Sequence, residues 1–259
     1  MKKNIIITGA AGFLGSYFCE FLAKKNYNVI GLDNNKKKVQ LLNNKYKKLN
    51  INGLNFYTLD IANEKKVESF KKKLNRENIR VHYLINNAAI DPPPNKKQKK
   101  TITFPKIEQW YKELDVSLIG SFLMIKHFSE KMLKDKKGKI IFIGSDLSVI
   151  LPNPKFYEGI FKNYIKSVTY PVIKHSLVGL MRYYAVLFAK YKINVNMLSP
   201  SPIYNDQNPK FLRKIKEVIP MEILANKEDL NSSILYLLDD KNNFVTGQNI
   251  IVDGGRTIV

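Results

Sequence analysis

Cysteine is nearly absent from this chain. Cys19 is the single one in 259 residues, which excludes a disulfide framework and any metal site built on thiolates. Histidine is almost as scarce. His82, His127 and His175 are dispersed and read as ordinary helix or strand residues, so no metal centre is expected. Long apolar runs are missing too: no stretch reaches the roughly 18–20 residues that a membrane-crossing helix needs. The apolar run in MKKNIIITGA stops at a glycine turn, too soon for the core of a secretion signal. The expectation is a soluble, cytoplasmic protein without a membrane partner.

Arginine is the third shortage. Lysine and arginine total 43 against 22 acidic residues, a net charge of +21, yet five of the 43 are arginine. A nucleic-acid surface favours arginine, whose planar fork pairs with phosphate and base edges. The lysines instead scatter, as in KKKVQLLNNKYKK, and read as solvated helix faces. Nucleic acid is therefore not the expected partner, whereas an anionic small substrate is compatible with the charge. At 44% hydrophobic residues, the chain is long enough to bury one large core, and a single domain over residues 1–259 is expected.

What the chain does contain is a repeated alternation. Short apolar runs recur at 4–8, 27–32, 54–59, 81–86, 139–144, 193–198 and 248–253. Between them lie stretches with helical spacing, such as FLGSYFCEFLAKK and LIGSFLMIKHFSEKMLK. Strands that are apolar on both faces and alternate with helices predict an α/β fold, a doubly wound parallel sheet of seven strands with helices on both faces. Two segments break the rhythm, 91–105 and 151–169. Both follow strands, at the carboxyl edge where open α/β sheets bind ligands.

The first run leads into Thr8-Gly9-Ala10-Ala11-Gly12-Phe13-Leu14-Gly15 and then a helix. Strand, glycine turn and helix in that order form the context of a Rossmann dinucleotide site: glycines let the backbone approach a pyrophosphate seated at the helix N-terminus. Gly9, Ala11, Gly12, Phe13, Leu14 and Gly15 are the candidate contacts. Asp33 ends the second strand, placed to accept hydrogen bonds from ribose hydroxyls and to repel a 2′-phosphate. NAD is thus expected ahead of NADP, although Lys36, Lys37 and Lys38 stand nearby.

Further on, SVTYPVIKHSLVGLM places Tyr170 and Lys174 four apart, on one face of a helix. That spacing allows the ammonium to lower the phenol pKa. Such pairs also arise by chance in a chain so rich in lysine. Ordered motifs settle the matter. The glycine turn, Asp60-Ile61, Asn86-Asn87-Ala88-Ala89, Gly144-Ser145, Tyr170-Pro-Val-Ile-Lys174, Val195-Asn196 through Pro200, and Thr246-Gly247-Gln248 with Val252-Asp253-Gly254-Gly255 resemble, along the whole chain, the short-chain dehydrogenases/reductases of the single-domain branch.

The resemblance implies an NAD(P)-dependent oxidoreductase with Tyr170 as acid/base, Lys174 lowering its pKa and binding the nicotinamide ribose, and Ser145 holding the substrate oxygen. It further implies adenine contacts at Asp60 and Ile61, and cofactor contacts at Asn87, Ala88 and Ile203. A homo-tetramer paired through the helices at 118–128 and 177–188 is expected by the same likeness. Within the family the chain resembles bacterial oxidoreductases linked to flagellin modification and unusual sugars. The expected reaction is therefore interconversion of a secondary alcohol and ketone on a polar, sugar-like or phosphorylated substrate. The alternative on the same fold is a non-catalytic dinucleotide sensor or scaffold.

Four departures stand out. The turn spacing TGxxGxxG is more typical of the larger, sugar-nucleotide branch. Ser117 occupies a position where most relatives carry an asparagine that supports the proton relay, and Ser201 replaces a glycine after the sixth strand. The interval from Ser145 to Tyr170 is longer than relatives usually have. Its extra residues, with Tyr157, Phe161 and Tyr164 beside Lys155, Lys162 and Lys166, are expected to line the substrate site or else to pack against the sheet.

Overall fold

Ile5, Ile6 and Ile7 are all fully buried. Consecutive side chains of a strand point to opposite faces, so three buried in a row require both faces of the sheet to be covered. The computed structural model, which describes residues 2–91, 104–161, 164 and 166–259, shows how. Strands β1 (Asn4–Thr8), β2 (Asn28–Asp33), β3 (Leu54–Thr58), β4 (Tyr83–Asn86), β5 (Gly138–Ile143), β6 (Ile193–Pro200) and β7 (Asn249–Val252) form one sheet in the order β3-β2-β1-β4-β5-β6-β7. All six pairings are parallel. Each strand lies where the apolar runs predict it, with ends displaced by a residue or two. The longest extension is in β6, which continues because Ser199 and Pro200 still pair with Ile251 and Val252.

The helices are α1 (Phe13–Lys24), α2 (Lys36–Lys48), α3 (Glu64–Arg76), α4 (Ile107–Leu114), α5 (Gly120–Phe128), α6 (Glu130–Asp135), α7 (Thr169–Ala189), α8 (Pro209–Lys216) and α9 (Asn231–Leu238). Two apolar layers result. On one face Ile5, Ile7, Tyr83 and Ile141 meet Phe18, Cys19 and Leu22 of α1, Val39 of α2, and Ile234 and Leu237 of α9. On the other face Ile6, Leu84, Ile140 and Phe142 meet Val67 and Phe70 of α3, Met124 and Phe128 of α5, and Leu177 and Met181 of α7. Each fully buried aliphatic or aromatic side chain contributes roughly 1.5–3 kcal/mol against the entropy of ordering the chain.

The stretch LIGSFLMIKHFSEKMLK does not form one uniform helix. A wide π-helical turn at Asp115–Ile119 precedes α5, and a break at Ser129 separates α5 from α6. Gly120, where the wide turn ends, allows the helix to close on the β3–α3 connection. A Cβ there would lie 2.8 Å from Ile61 Cγ1. Of the 91–105 segment, residues 92–103 lie outside the described residues, as does Lys162 of the longer interval before Tyr170. Among the described residues no helix is long and apolar enough to cross a membrane, and no group of three or more His, Cys, Asp or Glu side chains could hold a metal ion.

Candidate active site

Because the strands are parallel, β1 to β7 all end on one edge, and the order reverses between β1 and β4, where the chain leaves in opposite directions and opens a crevice. Thr8 bridges it. Its hydroxyl oxygen accepts the N–H groups of Asn87 (3.0 Å) and Ala88 (3.1 Å). The Asn87 amide donates to the carbonyls of Thr8 (2.9 Å) and Gly9 (3.2 Å). Asn87 thus holds the glycine turn in place.

The turn is tight enough to require its glycines at two places. Gly9 has φ +64°, and a Cβ on it would stand 2.8 Å from Ala88 Cα; a Cβ on Gly15 would stand 2.1 Å from the Gly9 carbonyl oxygen. The end of α1 differs from its neighbours. Asn35 and Asn63 cap α2 and α3 with their side chains, whereas Gly12 at the start of α1 offers no side chain and no acid stands in the first turn. The uncapped N–H groups over Phe13, Leu14 and Gly15 fit a pyrophosphate. Asp33 accepts the N–H of Ala11 through one carboxylate oxygen and that of Asn35 through the other, both at 2.9 Å, so its orientation is set by the turn itself.

Beside the turn runs a groove of about 470 Å³. Gly9, Asp33, Asp60, Ile61 and Ala88 line it with Ala89 of the same motif, joined by Leu32, Asn34, Leu59, Ile90 and Val116, which the motifs did not single out. These flank the motif residues at the strand ends, and that adjacency is the signal that could have found them. Glycine cradle, uncapped helix, oriented carboxylate and groove together fit a nicotinamide dinucleotide. The Ile203 side chain is buried in the apolar layer with residues of α1 and α9, and, like Tyr170 and Lys174, it does not line this groove.

The second half of the site lies at the ends of β5 and the start of α7. Ser145 follows β5 in extended backbone and caps the short turn Asp146–Ser148. Tyr170 and Lys174 sit one turn apart in α7. Lys174 is buried; its ammonium donates to the Ile143 carbonyl at 2.9 Å and lies 5.5 Å from the centre of the Tyr170 ring. The three expected residues are therefore brought together, but their charge states depart from the spacing argument. The Tyr170 phenol is pushed up, first by burial, then by the Asp91 charge. A hydrogen bond with Ser145 opposes the rise, and Asp146 adds to it. Lys174 is itself lowered to about 8 by burial, with Asp91 pulling it up and Lys166 pushing it down. Desolvation outweighs the proximity of the ammonium, so the phenol rests protonated.

Ser117 is buried within the π-helical turn, and its carbonyl accepts the Ser121 hydroxyl at 2.6 Å. Ser201 is buried too, donating its N–H to the Val252 carbonyl. The interval before Tyr170 does not lay its rings on the sheet. Tyr157, Phe161 and Tyr164 cluster with Phe211 of α8, Tyr157 stacking on Phe211 at 5.6 Å between centroids. Lys214 of α8 donates to the carbonyls of Lys155 and Glu158, which ties the two segments into one wall.

Comparison with known proteins places this geometry. A family model described as enoyl-(acyl carrier protein) reductase matches residues 9–257. The 3-oxoacyl-(acyl-carrier-protein) reductase FabG of Buchnera aphidicola subsp. Baizongia pistaciae is 32% identical, with 98% of this chain and 97% of the relative aligned. The NAD-dependent glycerol dehydrogenase of Listeria innocua is 27% identical over 99% of this chain and 94% of its own. Among solved structures, a short-chain dehydrogenase from Leptospira borgpetersenii with bound NAD+ superposes with a TM-score of 0.84, 27% identity, and coverage of 99% and 93%. ElxO with NADP bound gives 0.83 and 25%, with both chains covered in full.

One buried pair was missed by motif reading. Asp146 accepts the Ser145 hydroxyl proton at 2.7 Å and the Leu147 N–H at 2.8 Å through one oxygen, and forms an ion pair with Arg256 through the other. Arg256 follows Gly254 (φ +65°) and Gly255 (φ +91°), and lies 5.4 Å from the Phe156 ring. Asp253 is committed to the N–H groups of Gly255 and Thr257, which leaves Asp146 to Arg256. Burial pushes the Asp146 carboxyl up, and Arg256 opposes it most strongly. The sequence signal was faint: an acid beside Ser145 and a lone arginine after a double glycine. With both side chains under a tenth exposed, Arg256→Met should leave an uncompensated buried charge and cost about 3–5 kcal/mol in chemical denaturation. Asp146→Asn added to Arg256→Met should recover much of that loss. If the double variant is no more stable than Arg256→Met, the two are not coupled.

Proposed function

The chain belongs to the short-chain dehydrogenase/reductase family and is an NAD(P)-dependent oxidoreductase, and on that premise we propose that it interconverts a secondary alcohol and a ketone on a polar, sugar-like or phosphorylated substrate, with NAD(H) as cofactor. The observation that carries the reading is the meeting of Tyr170, Ser145 and Lys174 at the carboxyl edge of the sheet, next to the groove that Asp33 and the glycine turn define.

The dinucleotide, when bound, supplies or accepts the hydride. The chain does the rest. The first turn of α1 and the turn at Gly9–Gly12 hold the pyrophosphate, and Asp33 accepts from the adenosine ribose hydroxyls. Lys174, anchored on the Ile143 carbonyl, has donors left for the nicotinamide ribose. In reduction Tyr170 delivers its phenolic proton to the carbonyl oxygen as the alkoxide forms. In oxidation the phenolate takes that proton back. The raised pKa of the isolated site favours the protonated phenol, the form reduction needs, and a nicotinamide cation beside it would pull the phenol down for the reverse step. Ser145 holds the reacting oxygen.

Support for a polar substrate comes from the wall of Tyr157, Phe161, Tyr164 and Phe211, which offers ring faces for stacking beside lysines. The likeness to a glycerol dehydrogenase is in keeping with it. Support for NAD comes from Asp33, whose carboxylate is fixed at the end of β2. Support for self-assembly comes from α7, where Tyr183, Val186 and Leu187 are 64%, 81% and 44% exposed, an apolar strip that a second copy of the chain would cover.

Tyr170→Phe should lower turnover about 10²–10⁴-fold while leaving NADH affinity nearly unchanged, as measured by steady-state kinetics and calorimetry. Turnover retained above a tenth of the unmodified enzyme refutes the assignment. Asp33→Ala should narrow the preference for NADH over NADPH; tighter binding of NADPH by the unmodified protein would overturn the reading and point to Lys36–Lys38. Light scattering at micromolar concentration should give the mass of a tetramer, and a monomer there would remove the role given to α7.

A further inference from the structure

Among the described residues, two ammonium groups lie over the Tyr170 ring. Lys174 is anchored on the Ile143 carbonyl, with its nitrogen 5.5 Å from the ring centre. Lys166, from the interval before α7, places its nitrogen 4.2 Å from the ring centre and forms an ion pair with Asp91, which lies just beyond β4. The pair spans the cleft above the phenol. Asp91 is held near the reacting centre through Lys166, whose nitrogen lies over the Tyr170 ring, and its charge raises the Tyr170 phenol.

The other acid of the site is already satisfied: Asp146 is buried with Arg256 and takes the Ser145 proton. Asp91 and Lys166 therefore form the ion pair of the cleft that is open to exchange, and their burial is unequal. The Lys166 side chain is 14% exposed, that of Asp91 43%. A lysine held over an aromatic face and largely out of water loses most when left bare, whereas a half-exposed carboxylate is readily rehydrated. If either partner leaves, it is Asp91.

We propose that Lys166 is an anion subsite of the substrate pocket, occupied in the unliganded enzyme by the Asp91 carboxylate standing in for a carboxylate or phosphate of the substrate. On binding, the substrate anion displaces Asp91 and pairs with Lys166 above the Tyr170 ring. The anionic group then lies within a few ångströms of the oxygen that Tyr170 serves. The substrate class narrows accordingly to hydroxy acids or phosphates whose anion is close to the secondary alcohol. This inference rests on Tyr170 as the acid/base, and it draws on the overall charge of +21 only for the approach of anions from a distance.

The test separates the two readings. Inorganic phosphate and malonate are titrated by calorimetry into the enzyme–NADH complex at constant ionic strength, the two probes distinguishing phosphate from carboxylate recognition. Asp91→Asn removes the internal competitor and should tighten binding of at least one probe about fivefold. Lys166→Met, which keeps the aliphatic contact with the ring, should weaken it about tenfold or more, and Lys166→Arg should retain it. NADH affinity should be unchanged in all three. Asp91→Asn that binds both probes no better than the unmodified protein overturns the proposal, as does Lys166→Met that binds them as well. Failure of NADH itself to bind would instead strike the parent reading. A general disturbance of the cleft would weaken binding in both variants, the opposite of the Asp91→Asn gain.

Discussion

The hydroxyl of Thr8 is the contact on which the site depends. Strand order reverses between β1 and β4, so no crossover helix fills the space above their ends, and something must hold the two ends in register. Thr8 does so by accepting two consecutive N–H groups from the β4 side, and Asn87 returns two hydrogen bonds to the glycine turn. The lock satisfies backbone groups that would otherwise be stranded at a buried edge. It also positions both halves of the chemistry. The same turn orients Asp33 through Ala11, and the same sheet carries Ser145 two strands away from β1.

Electrostatics divide the site into layers. Deepest is the Asp146–Arg256 pair, which binds the C-terminal turn to the residue following Ser145. Ser145 accepts the Leu147 N–H and has one rotatable proton to share between Asp146 and the Tyr170 oxygen. Turned toward the Tyr170 oxygen, that proton opposes the rise that burial imposes on the phenol. Above it, burial raises Tyr170 and lowers Lys174, so neither group is at its ordinary pKa before a cofactor arrives. Nearest to solvent is the Lys166–Asp91 pair, the most readily rearranged of the three.

The fold was legible because seven apolar runs can be buried on both faces in few other ways, and each run became a strand. Glycine turn, Asp33, Ser145, Tyr170 and Lys174 were legible because their spacing is local: two residues one helical turn apart, or a turn at a strand end. What escaped was set by long-range packing. Arg256 reaches Asp146 across 110 positions, and Lys166 reaches Asp91 across 75. No periodicity encodes either. The spacing of Tyr170 and Lys174 correctly placed them on one face, yet misjudged the phenol, because burial depth is invisible in an i, i+4 pattern. The break at Ser129 escaped for a similar reason: helical spacing continues through it, while the wide turn at Asp115–Ile119 shifts the face that α5 presents to Ile61.

A longer interval before α7 changes what kind of pocket this scaffold can have. A short connection would leave Tyr170 roofed by solvent or by the substrate alone. Here Phe156 meets Arg256, Tyr157 stacks on Phe211, and Lys214 donates to two carbonyls of the interval. Three separate regions, the strand end at Ser145, helix α8 and the C-terminal turn, are thereby joined around one phenol. Such a wall gains from packing what it loses in ordering a long segment, and it brings charged groups into a space of low dielectric where each must be paired. The requirement for pairing is strictest for Asp146 and Arg256, both buried, and looser for Lys166 and the half-exposed Asp91. A charged substrate entering this cleft therefore meets groups that already have partners, Lys166 with Asp91 among them.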